Sequence, residues 1–130
     1  MATTGQKSVR DSFVGSWRIV EMEQWEREDI DELGPARIQF NRDGTGELRF
    51  LVVQGGIDCR FETRDGKPFV EFSWSGFSEM DEACGRGWAE LETGNRLRGR
   101  LFFHLGDDSA FAAVRRRTAI SPEKRRSRLT

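Results

Sequence analysis

The chain has 130 residues, 36% of them hydrophobic, and a formal net charge of −1, which fits one domain able to bury about two-thirds of its unfolded surface. No apolar run approaches the roughly 20 residues of a membrane-crossing helix, and no signal-type stretch opens the chain, so a cytoplasmic location without membrane insertion is expected. Cys59 and Cys84 are neither Cys-x-x-Cys-spaced nor grouped with the single histidine, His104; free thiols are expected, and no metal or cofactor.

Taken in chain order, residues 1–12 read as a flexible N-terminus, 13–117 as one folded domain and 118–130 as a basic tail. The first strand, 16–25, opens on Gly15-Ser16-Trp17. An acidic stretch follows: residues 21–32 carry seven acids against one arginine, and 26–35 form one helical turn or a lid. Strands 36–42 and 46–53 flank Asp43-Gly44. A three-residue loop there pairs Phe40 with Leu48 and Ile38 with Phe50, keeping apolar residues on one face. With Gln54-Gly55 as the next loop, Phe50 meets Cys59 and Leu48 meets Phe61.

Strands 56–64 and 67–76 meet at Asp65-Gly66, a strong two-residue hairpin signal. Arg64 then faces Lys67, while Phe61–Val70, Cys59–Phe72 and Ile57–Trp74 form an apolar face opposite Arg60–Glu71. Residues 77–84 read as a second acidic loop. Strands 85–92 and 96–105 turn at Thr93-Gly94-Asn95 and pair Leu91 with Leu97 and Ala89 with Gly99. A loop at Gly106-Asp107-Asp108 leads to strand 109–117, pairing Phe103 with Phe111, Leu101 with Ala113 and Gly99 with Arg115. Eight alternating strands joined by short loops predict an all-β, up-and-down antiparallel barrel.

This pattern resembles the calycin superfamily of lipocalins, fatty-acid-binding proteins and avidin-type barrels. The residues that carry the resemblance are Gly15-Ser16-Trp17 at the first strand and a basic residue on the last. The resemblance implies that Arg115, with Arg117 as second choice, lies across Trp17 and bonds to backbone at the closed end. The chain also looks like a group of uncharacterised bacterial proteins with segments such as EFSW, GRGWA and LRGRLFFH.

Three uses follow. The leading one is binding of a small, mostly apolar molecule in the interior without catalysis, at Phe50, Phe72, Trp74 and Phe103, with Glu21 as polar anchor. Ile19, Phe40, Phe61 and Leu101 complete the expected wall. The second is a filled barrel serving as an interaction module or homodimer, through Trp25, Trp88, Phe102 and the opposed charged segments. The third is an enzyme of unknown reaction, for which no catalytic residue stands out. A cavity of roughly 300 Å3 or more separates the first two. Trp88 reads outward by strand parity, or inward if the flanking Gly85 and Gly87 bulge the strand. Residues 115–128 hold seven bases and one acid but no aromatic residue for base stacking, so nucleic acid is not an expected partner.

Overall fold

The computed structural model describes residues 9–116. Eight antiparallel strands form a closed barrel in simple meander order: β1 (Gly15–Met22), β2 (Arg37–Phe40), β3 (Thr45–Phe50), β4 (Val53–Arg64), β5 (Lys67–Ser78), β6 (Asp81–Thr93), β7 (Arg96–Phe103) and β8 (Asp108–Arg115). β8 pairs back onto β1 through Trp17–Arg115 and Ile19–Ala113. Two short helical segments, α1 (residues 9–13) and α2 (Arg27–Ile30), accompany the barrel.

The alternation of the strands dictates the core. Inward positions supply Trp17, Ile19, Ile38, Phe40, Leu48, Phe50, Ile57, Phe61, Phe72, Trp74, Leu97, Leu101 and Phe111, all buried. Rings interlock at edge-on angles along the axis: Phe40 lies 6.3 Å from both Phe61 and Phe72, and Trp74 lies 5.3 Å from Phe103. Such offset contacts add about 0.5–1.5 kcal/mol per pair beyond area burial.

The β4–β5 hairpin has the expected register in every pair, from Arg64–Lys67 to Ile57–Trp74. Leu91–Leu97 and Ala89–Gly99 also pair as expected.

Three other registers differ. Phe40 pairs with Gly46 and Ile38 with Leu48. A side chain at Gly46 would collide with the Gln39 carbonyl, 2.0 Å from its Cβ position, so this glycine permits the close strand approach. The β3–β4 turn falls at Leu51–Val52, not at Gln54-Gly55, so Phe50 pairs with Val53 and Leu48 with Gly55. Leu51 adopts φ 53° there. Gly55 sits inside β4, where its Cβ would lie 2.7 Å from the Ser75 carbonyl. In β8, Leu101 pairs with Ser109 and Gly99 with Phe111. Ala110–Val114 is apolar on both faces and gives alternation nothing to discriminate.

The acidic loop expected at 77–84 is instead paired strand: β5 and β6 run on to a tight turn at Glu79–Met80, with Ser78 opposite Asp81. Of the flexible N-terminus expected through residue 12, residues 1–8 lie outside the described residues and residues 9–12 are helical. Val9 and Phe13, one helical turn apart, are buried, so residues 9–12 belong to the domain. The tail expected at 118–130 and the second-choice Arg117 lie outside the described residues.

Candidate functional site

The two ends of the barrel are built differently. At one end α1 acts as a plug. Phe13 is fully buried, 5.8 Å from Phe40 and 6.0 Å from Phe61. Its carbonyl accepts a 2.9 Å hydrogen bond from Trp17 Nε1. The Arg115 guanidinium lies 4.2 Å from the Trp17 ring centroid and donates to the carbonyls of Ser12 (2.7 Å) and Val14 (3.1 Å). Burial pulls the Arg115 pKa below its ordinary value. Gly15 has φ 127°, and a Cβ there would stand 3.3 Å from Arg115 Nη1. Glycine at this place answers both to the left-handed backbone and to the approach of the arginine.

The opposite end carries the candidate binding wall. Phe50, Trp74 and Phe103 meet edge to face, with centroids 5.3–6.4 Å apart. Trp25 lies 6.1 Å from Phe50 and 6.4 Å from Phe103. It is only partly buried, as is Phe103. Trp74 Nε1 donates to the Phe102 carbonyl at 3.1 Å, so its polar atom is satisfied within the wall.

Trp25 rides on a segment that leaves β1 and is pinned at both flanks. Gln24 N–H donates to Ser109 Oγ (3.1 Å) and Glu23 N–H to the Ala110 carbonyl (3.0 Å). Farther on, fully buried Ile30 closes the end. Asp31 accepts from Ala36 N–H (2.8 Å) and from Arg18 Nη2 (2.7 Å). The Ile30 carbonyl accepts from Leu51 N–H (2.9 Å), joining α2 to the β3–β4 turn.

Of the residues expected to line the interior, Phe50, Trp74 and Phe103 thus share one wall. Phe72 stands deeper, against Phe40. Glu21 does not join them. A bulge between Ile19 and Glu21 turns it outward: Glu21 pairs with Ala112, Met22 takes the inward place beside Phe111, and the carboxylate meets Arg96 at 3.6 Å in solvent. Trp25, expected as an outer contact residue, packs on this wall instead. Ser109, fully buried and the anchor of the Trp25 segment, escaped notice; a serine at an inward position of the last strand was the available signal.

Trp88 points outward and stacks on Phe69, not Phe102, at 5.7 Å and 14°. Arg64 Cζ lies 4.1 Å from the Phe69 centroid. Gly87 provides room for the Phe72 ring, 2.5 Å from its Cβ position, with no bulge at Trp88.

An open groove of about 610 Å3 runs along the outer wall beyond the end of β7, between Phe77, Ala83, Cys84 and His104. The His104 N–H donates to the Cys84 carbonyl at 2.8 Å. Among the described residues no cluster of three or more His, Cys, Asp or Glu could hold a metal ion. No helix among them is long and apolar enough to cross a membrane. Comparison with family models, with curated proteins and with solved structures finds no match to this chain.

The two thiols are expected to behave oppositely. Cys84 is exposed, whereas burial in the apolar wall, with Asp58 adding to it, pushes the Cys59 pKa up from 9.0 to about 12. A disulfide reagent at pH 8 should titrate one thiol per native chain rapidly and the second only on unfolding. Because the native state holds the Cys59 proton more tightly than the unfolded state does, stability should fall as pH rises from about 9 toward about 12. Cys59→Ala should flatten that slope in a pH series of urea midpoints; an unchanged slope would contradict the assignment.

Proposed function

We propose that the protein is a calycin-type barrel that binds one small, mostly apolar molecule against Phe50, Trp74 and Phe103, with Trp25 as the movable fourth wall, and performs no chemistry on it. The observation that carries this reading is the partial exposure of Trp25 and Phe103 over an otherwise buried aromatic nest. A flat or chain-like guest displacing the Trp25 indole would take over its two ring contacts, with Phe50 and Phe103, and add a third with Trp74. The wall recruits rings rather than ions, and none of the groups with a displaced pKa, Asp43, Cys59 and Arg115, lines it. The calycin likeness adds support through the Gly15–Trp17–Arg115 arrangement at the opposite end.

Titration with fatty acids, tetrapyrroles and aromatic metabolites, read by tryptophan fluorescence and thermal shift, tests this. A ligand at one hundred times its Kd stabilises by about 2.7 kcal/mol, or roughly 10–20 °C for a domain this size. Trp74→Ala should abolish that shift. Trp25→Ala should change the affinity at least tenfold, while a Trp88 substitution on the outer wall leaves it alone. Silence across the whole panel would sink the reading.

A second reading, the interaction module, is favoured by a separate observation: Phe77, Met80 and Leu105 are 53%, 93% and 94% exposed, around the outer groove.

A further inference from the structure

Several strands outrun a neighbour: β4 beyond Asp58 has β5 alone beside it, and β6 outruns β7 at its start. β6 continues to Asp81, but β7 ends with Phe103 opposite Gly85, and only the His104 N–H reaches farther, to Cys84. Asp81–Ala83 therefore has β5 on one side and, among the described residues, no strand on the other. By strand alternation, Glu82 turns its N–H and C=O toward that empty side, in line with Cys84. Such an edge can accept an added strand. The groove of about 610 Å3 lies along it.

Two features describe the occupant. The edge is flanked by exposed apolar side chains, Phe77, Met80 and Leu105. It is also rimmed by exposed acids, Glu79, Asp81, Glu82 and Asp107, none of which forms an ion pair among the described residues, although ten other acids do. The fitting partner is an extended, basic peptide with an aliphatic side chain. Self-pairing of two such edges would oppose like charges.

The chain's own sequence contains such a peptide. Residues 117–130 read RTAISPEKRRSRLT, with Thr118-Ala119-Ile120 followed by Lys124, Arg125, Arg126 and Arg128 against one acid, Glu123. β8 ends at the opposite end of the barrel, where Arg115 N–H bonds to Asn95. The thirteen-residue β6 separates the two ends by about 40 Å along its length, whereas Ile120 can reach only about 14 Å from Arg116. Thr118–Ile120 therefore cannot reach the edge of its own copy, and an occupant built on this stretch comes from another molecule.

We propose that the open edge of β6 at Asp81–Ala83 receives residues 117–130 of a second copy of this chain, paired through backbone hydrogen bonds and held by charge. The association is head-to-tail, so each copy offers one edge and one tail.

Sedimentation equilibrium of the full chain at 50 and 500 mM salt, beside a chain ending at Arg116, tests it. The full chain should self-associate, at least tenfold more weakly at high salt, and the shortened chain should be monomeric with an unchanged circular dichroism spectrum. A labelled synthetic peptide of residues 117–130 should bind the shortened chain. Its affinity should drop at least tenfold on combined Asp81→Lys and Glu82→Lys, and hold on Glu62→Lys at the other end of the barrel. A monomeric full chain overturns the proposal. So does a shortened chain that associates as well as the full one, which would mean edge-to-edge pairing, or a peptide indifferent to the two lysines.

Discussion

Trp17→Ala should lower unfolding stability by about 4 kcal/mol, a loss typical of emptying a buried indole site and a large part of an ordinary domain's total stability. Three losses coincide there. The indole is fully buried beside the plug. Its Nε1 hydrogen bond to the Phe13 carbonyl disappears, leaving a buried acceptor unpaired. The Arg115 guanidinium, 4.2 Å from the ring centroid, loses the face it lies against, an interaction of about 0.5–2 kcal/mol. Trp17→Phe keeps most of the apolar area and should cost about half as much. Arg115→Lys keeps the charge but not the fork that spans the Ser12 and Val14 carbonyls. Urea denaturation followed by far-ultraviolet circular dichroism measures all three. A loss below about 1.5 kcal/mol for Trp17→Ala would mean that this end is not where the barrel is locked.

A single methyl group should do comparable damage at Gly99. A Cβ there would sit 1.9 Å from the Trp88 carbonyl oxygen and 2.9 Å from Ala89 Cα. Both are backbone atoms of β6, so no rotamer change relieves the clash; the β6–β7 pair must open. Gly99→Ala should therefore cost about 3 kcal/mol or more, at the severe end of overpacking. Gly94→Ala in the adjacent turn is the control. A Cβ at Gly94 meets nothing within 4 Å, and that variant should be neutral or gain up to about 1 kcal/mol from a stiffer unfolded chain. Equal midpoints for the two variants would refute the close approach at Gly99.

Much of the barrel was legible because strand faces survive register errors of an even number of residues. Phe40, Leu48 and Phe50 lie inside although none has its expected partner, since each slip preserved the side on which they point. At Asp65-Gly66 the turn chemistry and the alternation agree, and the register follows. Glycine elsewhere is ambiguous: Gly46 and Gly55 mark places where strands approach closely, while the true β3–β4 turn uses Leu51 in a left-handed conformation that no side-chain preference announces. The odd slip is the informative one. The bulge in β1 moves Glu21 to solvent and Met22 into the core, and it separates the expected polar anchor from the aromatic wall. Trp25 joins that wall on a segment held by a long-range hydrogen bond from Gln24 N–H to Ser109 Oγ, a pairing that local sequence does not encode.

Closure of β8 onto β1 has a further consequence. Val14 and Arg115, joined by a hydrogen bond, are 101 residues apart in the chain, and the first and last strands pair from Trp17–Arg115 to Met22–Phe111. An open sheet cut at a turn can shed one piece. Here a protease cleaving the exposed Asp65-Gly66 turn would release nothing: the two fragments remain bonded along β4–β5 on one side and along β1–β8 on the other. The nicked ring stays a single particle.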